Sequence, residues 1–213
     1  MPSLIEPSKA YIFRIVHSEN IEWILTNGVH CRNSNTFARN YVEIGNPDLI
    51  DKRATWTVPI PPGGTLGDYV PFYFTPYSPM LYNIKTGYGG IRQRDMSEIV
   101  VLVASLPKLA ASGVSFLFTD RHALLKTARF SNDLADLSMI PWTQLQARDF
   151  KRDPENPEKM ERYQAEALVH GSLAVSGLAG ILCYSESAKA KIDGLAEKYG
   201  VVISTRVSPG WYF

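Results

Sequence analysis

The stretch EIVVLVA at residues 98–104 constrains the fold more than any other, because it is apolar almost without interruption. An alternating pattern indicates a strand with one face in water, whereas a continuous apolar run of this length is typical of a strand buried on both faces. Other stretches with strand composition are YIFRIV (11–16), YVPFYF (69–74), VSFLFT (114–119), ALVH (167–170), GLAGILCYS (177–185) and VVISTRV (201–207). Too few helices separate these strands for a doubly wound fold, so we expect an α+β fold with a mixed sheet.

The chain has 213 residues and shows no internal repeat or low-complexity linker, so a single domain is expected. Predicted helix N-caps are Ser18, Asn46 (before Pro47), Ser78 (before Pro79) and Ser185. Two polar segments have few sustained patterns: 29–68, with one short helix entered at Asn46-Pro47, and 120–160, a long surface loop with some helix. Long irregular segments in compact domains are often functional, which makes the segment 29–68 a candidate for function.

The formal net charge of +1 provides no overall attraction to nucleic acid or membranes, so a polyanion site would need local clustering of basic residues. Cys31 and Cys183 lie far apart, and the four histidines have no ligand spacing, so neither a disulfide framework nor a metal site is predicted. Cys31 next to His30 is a weak candidate nucleophile, and an inert buried thiol is the more common outcome. With no secretory signal and no apolar stretch near the roughly 20 residues that span a bilayer, we expect a cytoplasmic protein.

A single carboxylate, Glu166, interrupts the apolar part of ERYQAEALV at residues 161–169. A buried carboxylate costs free energy unless it is paired or used in chemistry. Spacing alone favours a position that faces solvent. The alternative is a catalytic carboxylate at the edge of a cleft.

Two further stretches combine polar side chains with the start of a predicted helix or with an irregular segment. FRIVHSEN (13–20) brings Arg14, His17 and Asn20 to a helix start, where they could hold an anionic or hydrogen-bonding ligand or simply cap the helix. IDKRATW (50–56) contains the basic pair of Lys52 and Arg53, and lone basic pairs are usually solvated.

Basic residues also gather in and near the irregular segments, interleaved with aromatic ones. The basic residues are Arg92, Arg94, Arg121, His122, Arg129, Arg148, Lys151 and Arg152, and the aromatic ones are Tyr88, Phe130, Trp142 and Phe150. Single-stranded nucleic acid is bound by this combination, through its phosphates and its stacked bases. Ordinary surface charge that is balanced by neighbouring Asp and Glu explains the composition nearly as well.

Several stretches, taken together and in order, resemble the DarT family of DNA ADP-ribosyltransferase toxins, in its thymidine-modifying branch. They are FRIVHSENIEWIL, IGNPDLIDKRA, DYVPFYFTPYSPMLYNI, QARDFKRDP, ERYQAEALV and ILCYSE. The resemblance runs from about residue 11 to the final GWYF. It implies a single-domain, ADP-ribosyltransferase-like split mixed sheet with flanking helices.

The resemblance further implies transfer of ADP-ribose from NAD, a consumed co-substrate, to thymidine bases in single-stranded DNA, with release of nicotinamide and without a metal. It implies a DarG-type macrodomain antitoxin as the partner that removes the modification. The family's catalytic glutamate corresponds to Glu166, and its essential arginine corresponds to Arg53, as a base or as an electrostatic stabiliser.

The residues that the resemblance places against NAD are Arg14, Ile15, Val16, His17, Asn20, Trp23 and Arg53. Some relatives have His in place of Arg14, so the position is better supported than the role of its side chain. The expected DNA-reading loop covers about 120–160 and includes His122, and the other residues assigned to DNA are Arg92, Arg94, Arg148 and Arg152.

Two other functions remain possible from the residues themselves. A metal-independent ribonuclease toxin would use His122 or His17 with Glu166 as acid and base. A non-catalytic nucleic-acid-binding module would bind DNA or RNA without forming a product.

Overall fold

The computed structural model describes residues 5–36 and 38–213. Its strands are β1 Tyr11–His17, β2 Val29–His30, β3 Tyr69–Tyr73, β4 Ile99–Ser105, β5 Phe116–Thr119, β6 Phe130–Ser131, β7 Glu166–His170, β8 Ser172–Leu173, β9 Gly180–Cys183 and β10 Thr205–Val207. Its α-helices are α1 Ile21–Asn27, α2 Pro47–Thr55, α3 Pro79–Thr86, α4 Leu106–Ala111, α5 Trp142–Ala147, α6 Glu158–Tyr163 and α7 Glu186–Lys198. Short 3-10 turns join several of these elements. No helix in the described ranges is long and apolar enough to cross a membrane.

Eight strands form one mixed sheet in the order β10-β9-β4-β1-β3-β7-β5-β6. All neighbours are antiparallel except β9 and β10, which run parallel. The continuous apolar run forms β4, whose alternate residues enter two different cores. Val100 and Leu102 pack into the larger core, and Ile99 and Val101 pack into a second one on the other face. The predicted central strand and the α+β fold with a mixed sheet are confirmed.

The sheet is split between β1 and β3. β1 pairs with β4 along its whole length, and β3 pairs with β7 along its whole length, but β1 and β3 share a single pair, Phe13 with Tyr73. Unpaired backbone groups on both sides of this split need other partners. One of them, the Pro71 carbonyl, accepts a hydrogen bond of 2.9 Å from Arg14 Nη1.

The caps predicted at Asn46, Ser78 and Ser185 are confirmed, since each side chain accepts a backbone N–H of the helix that follows it. The cap predicted at Ser18 is wrong. The helix is preceded by a 3-10 turn at Ser18–Asn20, and His17 caps that turn by accepting the N–H of Glu19 at its Nδ1.

Several expected strands are shorter in the structure: VSFLFT (114–119) is reduced to Phe116–Thr119, and GLAGILCYS (177–185) is reduced to Gly180–Cys183. The last strand is restricted to Thr205–Val207, because residues 201–204 leave the helix as irregular chain and the side chain of Val202 is fully exposed. The helix expected within 120–160 is present as α5 and the start of α6, and the segment also contains the short strand β6. Residues 120–129 connect β5 and β6 as a hairpin loop.

Candidate active site

A cavity of about 340 Å³ opens at the split of the sheet. Its floor is formed by Arg14, Ile15 and Val16 of β1 and by alternate residues of β3. Its walls come from α2, α3, residues 29–36 and 38–46, and the residues around Glu166. The volume lies within the range of small-molecule sites. The fold therefore places the candidate residues of distant sequence stretches around one space.

Successive side chains of β3 point to opposite faces of the sheet, so the strand contributes to both the cavity and the core. Val70 and Phe72 point into the large core. Tyr69, Pro71 and Tyr73 point to the other face and line the cavity, as the two-residue period of a strand requires.

Glu166 is the first residue of β7 and is only 3% exposed. Its Oε2 accepts a hydrogen bond of 2.7 Å from Arg53 Nη1, and its Oε1 accepts one of 3.0 Å from the backbone N–H of Ala123. The residue lies in the cavity lining. The solvent-facing position that spacing alone favoured is therefore wrong, because the strand turns this face toward the split and not toward solvent.

Two opposing effects determine the pKa of Glu166. Burial is the larger single effect and raises it, but the charge of Arg53, the nearby His122, and the Ala123 N–H together outweigh burial. The pKa of Glu166 therefore lies below its usual value of 4.5. The carboxylate is ionised at neutral pH, as a group that stabilises positive charge must be.

Arg53 reaches this carboxylate from α2, which is capped by Asn46 and has Pro47 at its first turn. The Arg53 side chain is 14% exposed. Its Nη2 atom is buried and has no hydrogen-bond partner among the described residues. The two side chains of the basic pair therefore leave the helix in different directions. Arg53 lines the cavity, whereas Lys52 is exposed.

Arg14, which is partly buried, contributes a second guanidinium to the cavity. One of its nitrogens bonds the Pro71 carbonyl across the split, and its Nε has no partner within the described part of the chain. Unpaired buried donors are uncommon in folded proteins, and one at the wall of a cavity is placed to meet a ligand. Arg14 and Arg53 both supply one.

Tyr73 is a cavity residue that the sequence analysis missed. It stands opposite Glu166 in the β3–β7 register, and its hydroxyl donates to the Met80 Sδ at 3.7 Å, a weak acceptor. Burial first, and the negative charge of Glu166 second, raise the pKa of Tyr73 well above its usual value. Its hydroxyl thus stays protonated and can donate to a ligand. The alternation Tyr69–Pro71–Tyr73 was the sequence signal that could have identified it.

His122 reaches the cavity from the hairpin loop. Its Nδ1 accepts the backbone N–H of Leu124 at 3.2 Å and lies 3.6 Å from Glu166 Oε1. Among the residues assigned to DNA, His122 is the one that lines the cavity.

Asn20 and Trp23 also line the cavity, in different ways. The Asn20 side chain is buried and bonds both the N–H and the carbonyl of Val42, at 2.8 and 2.9 Å. It thereby fastens the segment 29–46 to the start of α1. Trp23 packs edge-on against His30 and Tyr41 and forms an aromatic wall.

His17 lies outside this lining. Its ring is 5% exposed, caps the Ser18–Asn20 turn through Nδ1, and places Nε2 at 3.3 Å from Glu98. Cys31 does line the cavity, but burial raises the pKa of its thiol, which opposes the thiolate form that a nucleophile needs.

The four arginines assigned to DNA lie outside the cavity lining. Arg92 and Arg152 are exposed, and Arg94 lies 3.4 Å from Glu98. Arg148, in a left-handed backbone conformation, places its guanidinium 3.6 Å above the ring of Tyr77. The structure therefore does not bring these arginines together with Glu166 and Arg53. Within the described ranges, no cluster of three metal-ligating side chains occurs.

Comparisons with known proteins agree over nearly the whole chain. A family model described as "ssDNA thymidine ADP-ribosyltransferase, DarT" matches residues 13–213. A DNA ADP-ribosyl transferase of Escherichia coli O127:H6 (strain E2348/69 / EPEC) is 51% identical over 209 residues, which cover 98% of this chain and 96% of the relative.

Solved structures give the same result. The Thermus sp. 2.9 DarT in complex with ADP-ribosylated ssDNA superposes with a TM-score of 0.89 at 31% identity, over 97% of this chain and 98% of that one. The same Thermus protein in complex with NAD+ gives a TM-score of 0.83 at 32% identity, over 97% of this chain and 99% of that one.

Proposed function

The chain belongs to the DarT family of single-stranded DNA thymidine ADP-ribosyltransferases, and from this premise we propose that Glu166 and Arg53 carry out the transfer in the cavity at the split of the sheet. The observation that carries the proposal is the buried, ionised Glu166 carboxylate, which is paired with Arg53 and faces the cavity. Family membership favours ADP-ribosyl transfer from NAD over the ribonuclease and the non-catalytic binding module.

Glu166 stabilises the charge that develops on the ribose. Cleavage of the bond between nicotinamide and ribose produces an oxocarbenium-like transition state, and an anionic carboxylate near the ribose hydroxyls orients the sugar and lowers its energy. A second carboxylate is not required as a general acid, because nicotinamide leaves as a neutral group. The low pKa of Glu166 keeps the carboxylate charged throughout the neutral range.

Arg53 serves as an electrostatic stabiliser. A guanidinium remains protonated in proteins, so it is a poor general base. A thymine ring nitrogen is a weak nucleophile while it retains its proton, and a neighbouring cation favours the deprotonated base. The free Nη2 of Arg53 is available for this contact while Nη1 holds Glu166.

NAD is the proposed co-substrate of the cavity, as the Thermus relative's complex with NAD+ supports. The free donors of Arg14 and Arg53 suit its oxygen atoms, and the wall formed by Trp23, His30 and Tyr41 suits a flat ring. Ile15 and Val16 provide apolar contact from β1. Asn20 holds the segment 29–46 in place. The proposed role of His17 is limited to capping the turn beside β1.

Single-stranded DNA is the proposed acceptor, as the Thermus complex with ADP-ribosylated ssDNA supports. A target base must leave its stack before it reaches a buried site, which costs least in single strands. We assign base reading to the segment 120–160, with His122 closest to the transfer. Arg92, Arg94, Arg148 and Arg152 are proposed to contact the phosphates outside the cavity.

The proposed biological setting is that of a toxin–antitoxin pair in the cytoplasm. A DarG-type macrodomain antitoxin would remove the ADP-ribose from the base. No metal enters the proposed chemistry.

The test is a mass measurement on oligonucleotides that contain or lack thymidine, incubated with the protein in the presence and absence of NAD. The expected product is a thymidine oligonucleotide that carries one ADP-ribose, formed only with NAD. Shortened strands formed without NAD would instead support the ribonuclease.

Glu166→Gln is expected to lose activity by a factor on the order of 10²–10³, the range for removal of a preorganised electrostatic group. Glu197→Gln is the matched control, because Glu197 is an exposed glutamate on α7. Full activity of Glu166→Gln would refute the proposed mechanism.

A further inference from the structure

The hydroxyl of Thr119 lies where the catalytic strand meets the loop that covers it. Thr119 is the last residue of β5 and is fully buried. Its Oγ1 accepts the backbone N–H of Glu166 at 3.2 Å and donates to the carbonyl of Arg121 at 2.7 Å. A hydroxyl has one proton and two lone pairs, so it can make both bonds at once.

This contact extends the sheet by one position. The last backbone register pair between β5 and β7 is Phe118 with Ala167. The next N–H along β7 belongs to Glu166, and the Thr119 side chain, not a backbone carbonyl, accepts it. The backbone of the catalytic residue is therefore held on this side by a side chain that also holds the loop.

The loop 120–129 is also closed at its base, where its first and last residues meet. The Asp120 carboxylate is buried and accepts the backbone N–H of Arg129 at 3.0 Å, while the Asp120 N–H donates to the Arg129 carbonyl at 3.3 Å. Outside the loop, Thr119 and Phe130 are register partners. Thr119 therefore acts at the base of a closed hairpin and not on a free segment.

The start of this loop carries two groups that lie against the Glu166 carboxylate, in addition to Arg53 of α2. The Ala123 N–H donates to Oε1 at 3.0 Å, and the His122 ring lies next to it at 3.6 Å. The Thr119–Arg121 bond determines how the chain enters this turn. The Thr119 hydroxyl thus links the backbone of Glu166 to the loop whose Ala123 N–H donates to the Glu166 carboxylate.

We propose that Thr119 is a positioning residue for the ADP-ribosyl transfer. It aligns the Glu166 carboxylate by holding the Glu166 backbone and the Ala123 N–H at a fixed distance from each other. The proposal rests on the role assigned to Glu166 under the proposed function. Misplacement of a catalytic group by about 1 Å can reduce the rate about 100-fold. A small shift of the Glu166 carboxylate is therefore expected to lower the rate of transfer more than the affinity for NAD.

The test uses Thr119→Val, which keeps the shape of the side chain and removes the hydroxyl. We expect the kcat for transfer to fall about 10- to 100-fold while the KM for NAD changes by less than about 3-fold. Thr119→Ser restores the hydroxyl and is expected to recover most of the kcat. Because Ala123 would stabilise the carboxylate less well, the acid limb of the pH–rate profile should move to higher pH in Thr119→Val.

Thr205→Val is the matched control, since the Thr205 hydroxyl bonds Asp193 near β10, at the opposite edge of the sheet. Rates are referred to the folded fraction measured by circular dichroism, and Thr119→Ala replaces Thr119→Val if the latter does not fold. An unchanged kcat with the acid limb at its wild-type position would refute the proposal, as would a loss that Thr119→Ser does not rescue. An active Glu166→Gln would refute the proposed function instead, so the two failures are distinguishable.

Discussion

The two partners of the central ion pair come from regions of very different packing. Glu166 begins β7, whose first four residues are buried and which pairs with β3 on one side and β5 on the other. Arg53 lies on α2, a helix of nine residues without a single buried one. The strand is therefore held by the sheet on both sides, whereas the helix lies on the surface with its side chains only partly covered.

Because of this difference in packing, the site combines a rigidly held carboxylate with a guanidinium on a less rigid helix. Regions with few buried contacts open locally at low free-energy cost, whereas core strands open only with global unfolding. The carboxylate is therefore fixed relative to the cavity floor. The guanidinium is carried by the loosely packed α2, and the ion pair of 2.7 Å joins the two regions. The following predictions test this contrast.

The largest effect is expected from Arg53→Met. This change leaves the Glu166 carboxylate buried without its cation, and breaking a buried pair from one side costs about 3–5 kcal/mol. The free energy of unfolding, measured by urea denaturation, is expected to fall by that amount. Lys52→Met on the same helix is the control, because Lys52 is exposed. A loss below about 0.5 kcal/mol, the range of ordinary surface changes, would show that the pair does not join the two regions.

A smaller loss of stability, about 1–3 kcal/mol, is expected from Glu166→Gln. The glutamine can still accept the Ala123 N–H, and the unpaired Arg53 can move toward solvent with its loosely packed helix. The measurement is the same urea denaturation. If Glu166→Gln destabilised the protein more than Arg53→Met, α2 would be the more rigid of the two regions.

The stability of the wild type should depend on acid pH through Glu166. Because its folded pKa is lowered, the carboxylate contributes stability fully above the usual value of 4.5, and this contribution is lost as pH falls through the lower folded pKa. The stability difference between wild type and Glu166→Gln is therefore expected to be constant from pH 7 to about 5 and to shrink below that. A difference that grew on acidification would contradict the assigned direction.

The smallest effect is expected from Asn46→Ala, which removes the N-cap of α2 and costs about 1 kcal/mol. Asn46 accepts the backbone N–H groups of Asp48 and Leu49 at its side-chain oxygen. Hydrogen exchange of the α2 amides should accelerate while that of the β7 amides stays unchanged. Equal acceleration in both elements would show that they open as one unit.

Much of the fold could be predicted because it depends on local pattern. The central strand followed from the unbroken apolar run, and three of the four helix caps followed from Asn or Ser at the start of a helix. The cap at Ser18 failed because the histidine before it accepts the same kind of backbone N–H. The composition of a sequence does not show which of two neighbouring side chains accepts such an N–H.

The candidate site could be predicted less completely than the fold. The resemblance indicated Glu166 and Arg53, whose 113-residue separation could not indicate contact by any local rule. The alternation of β3 shows that Tyr73 shares a face with Tyr69 and Pro71, but only the neighbouring strands decide that this face lines the cavity. Thr119 looked like an ordinary strand end for the same reason.

By itself the sequence determined the central strand, the helix boundaries at three caps and the family, since these depend on residue order, periodicity and the combination of motifs. Only the tertiary structure decided that the sheet splits between β1 and β3, that Glu166 faces this split, and that Arg53 turns inward while Lys52 does not. The physical reason is that burial and charge pairing arise between residues far apart in the chain. The pKa of Glu166 depends on such neighbours, and they come together only when the sheet forms.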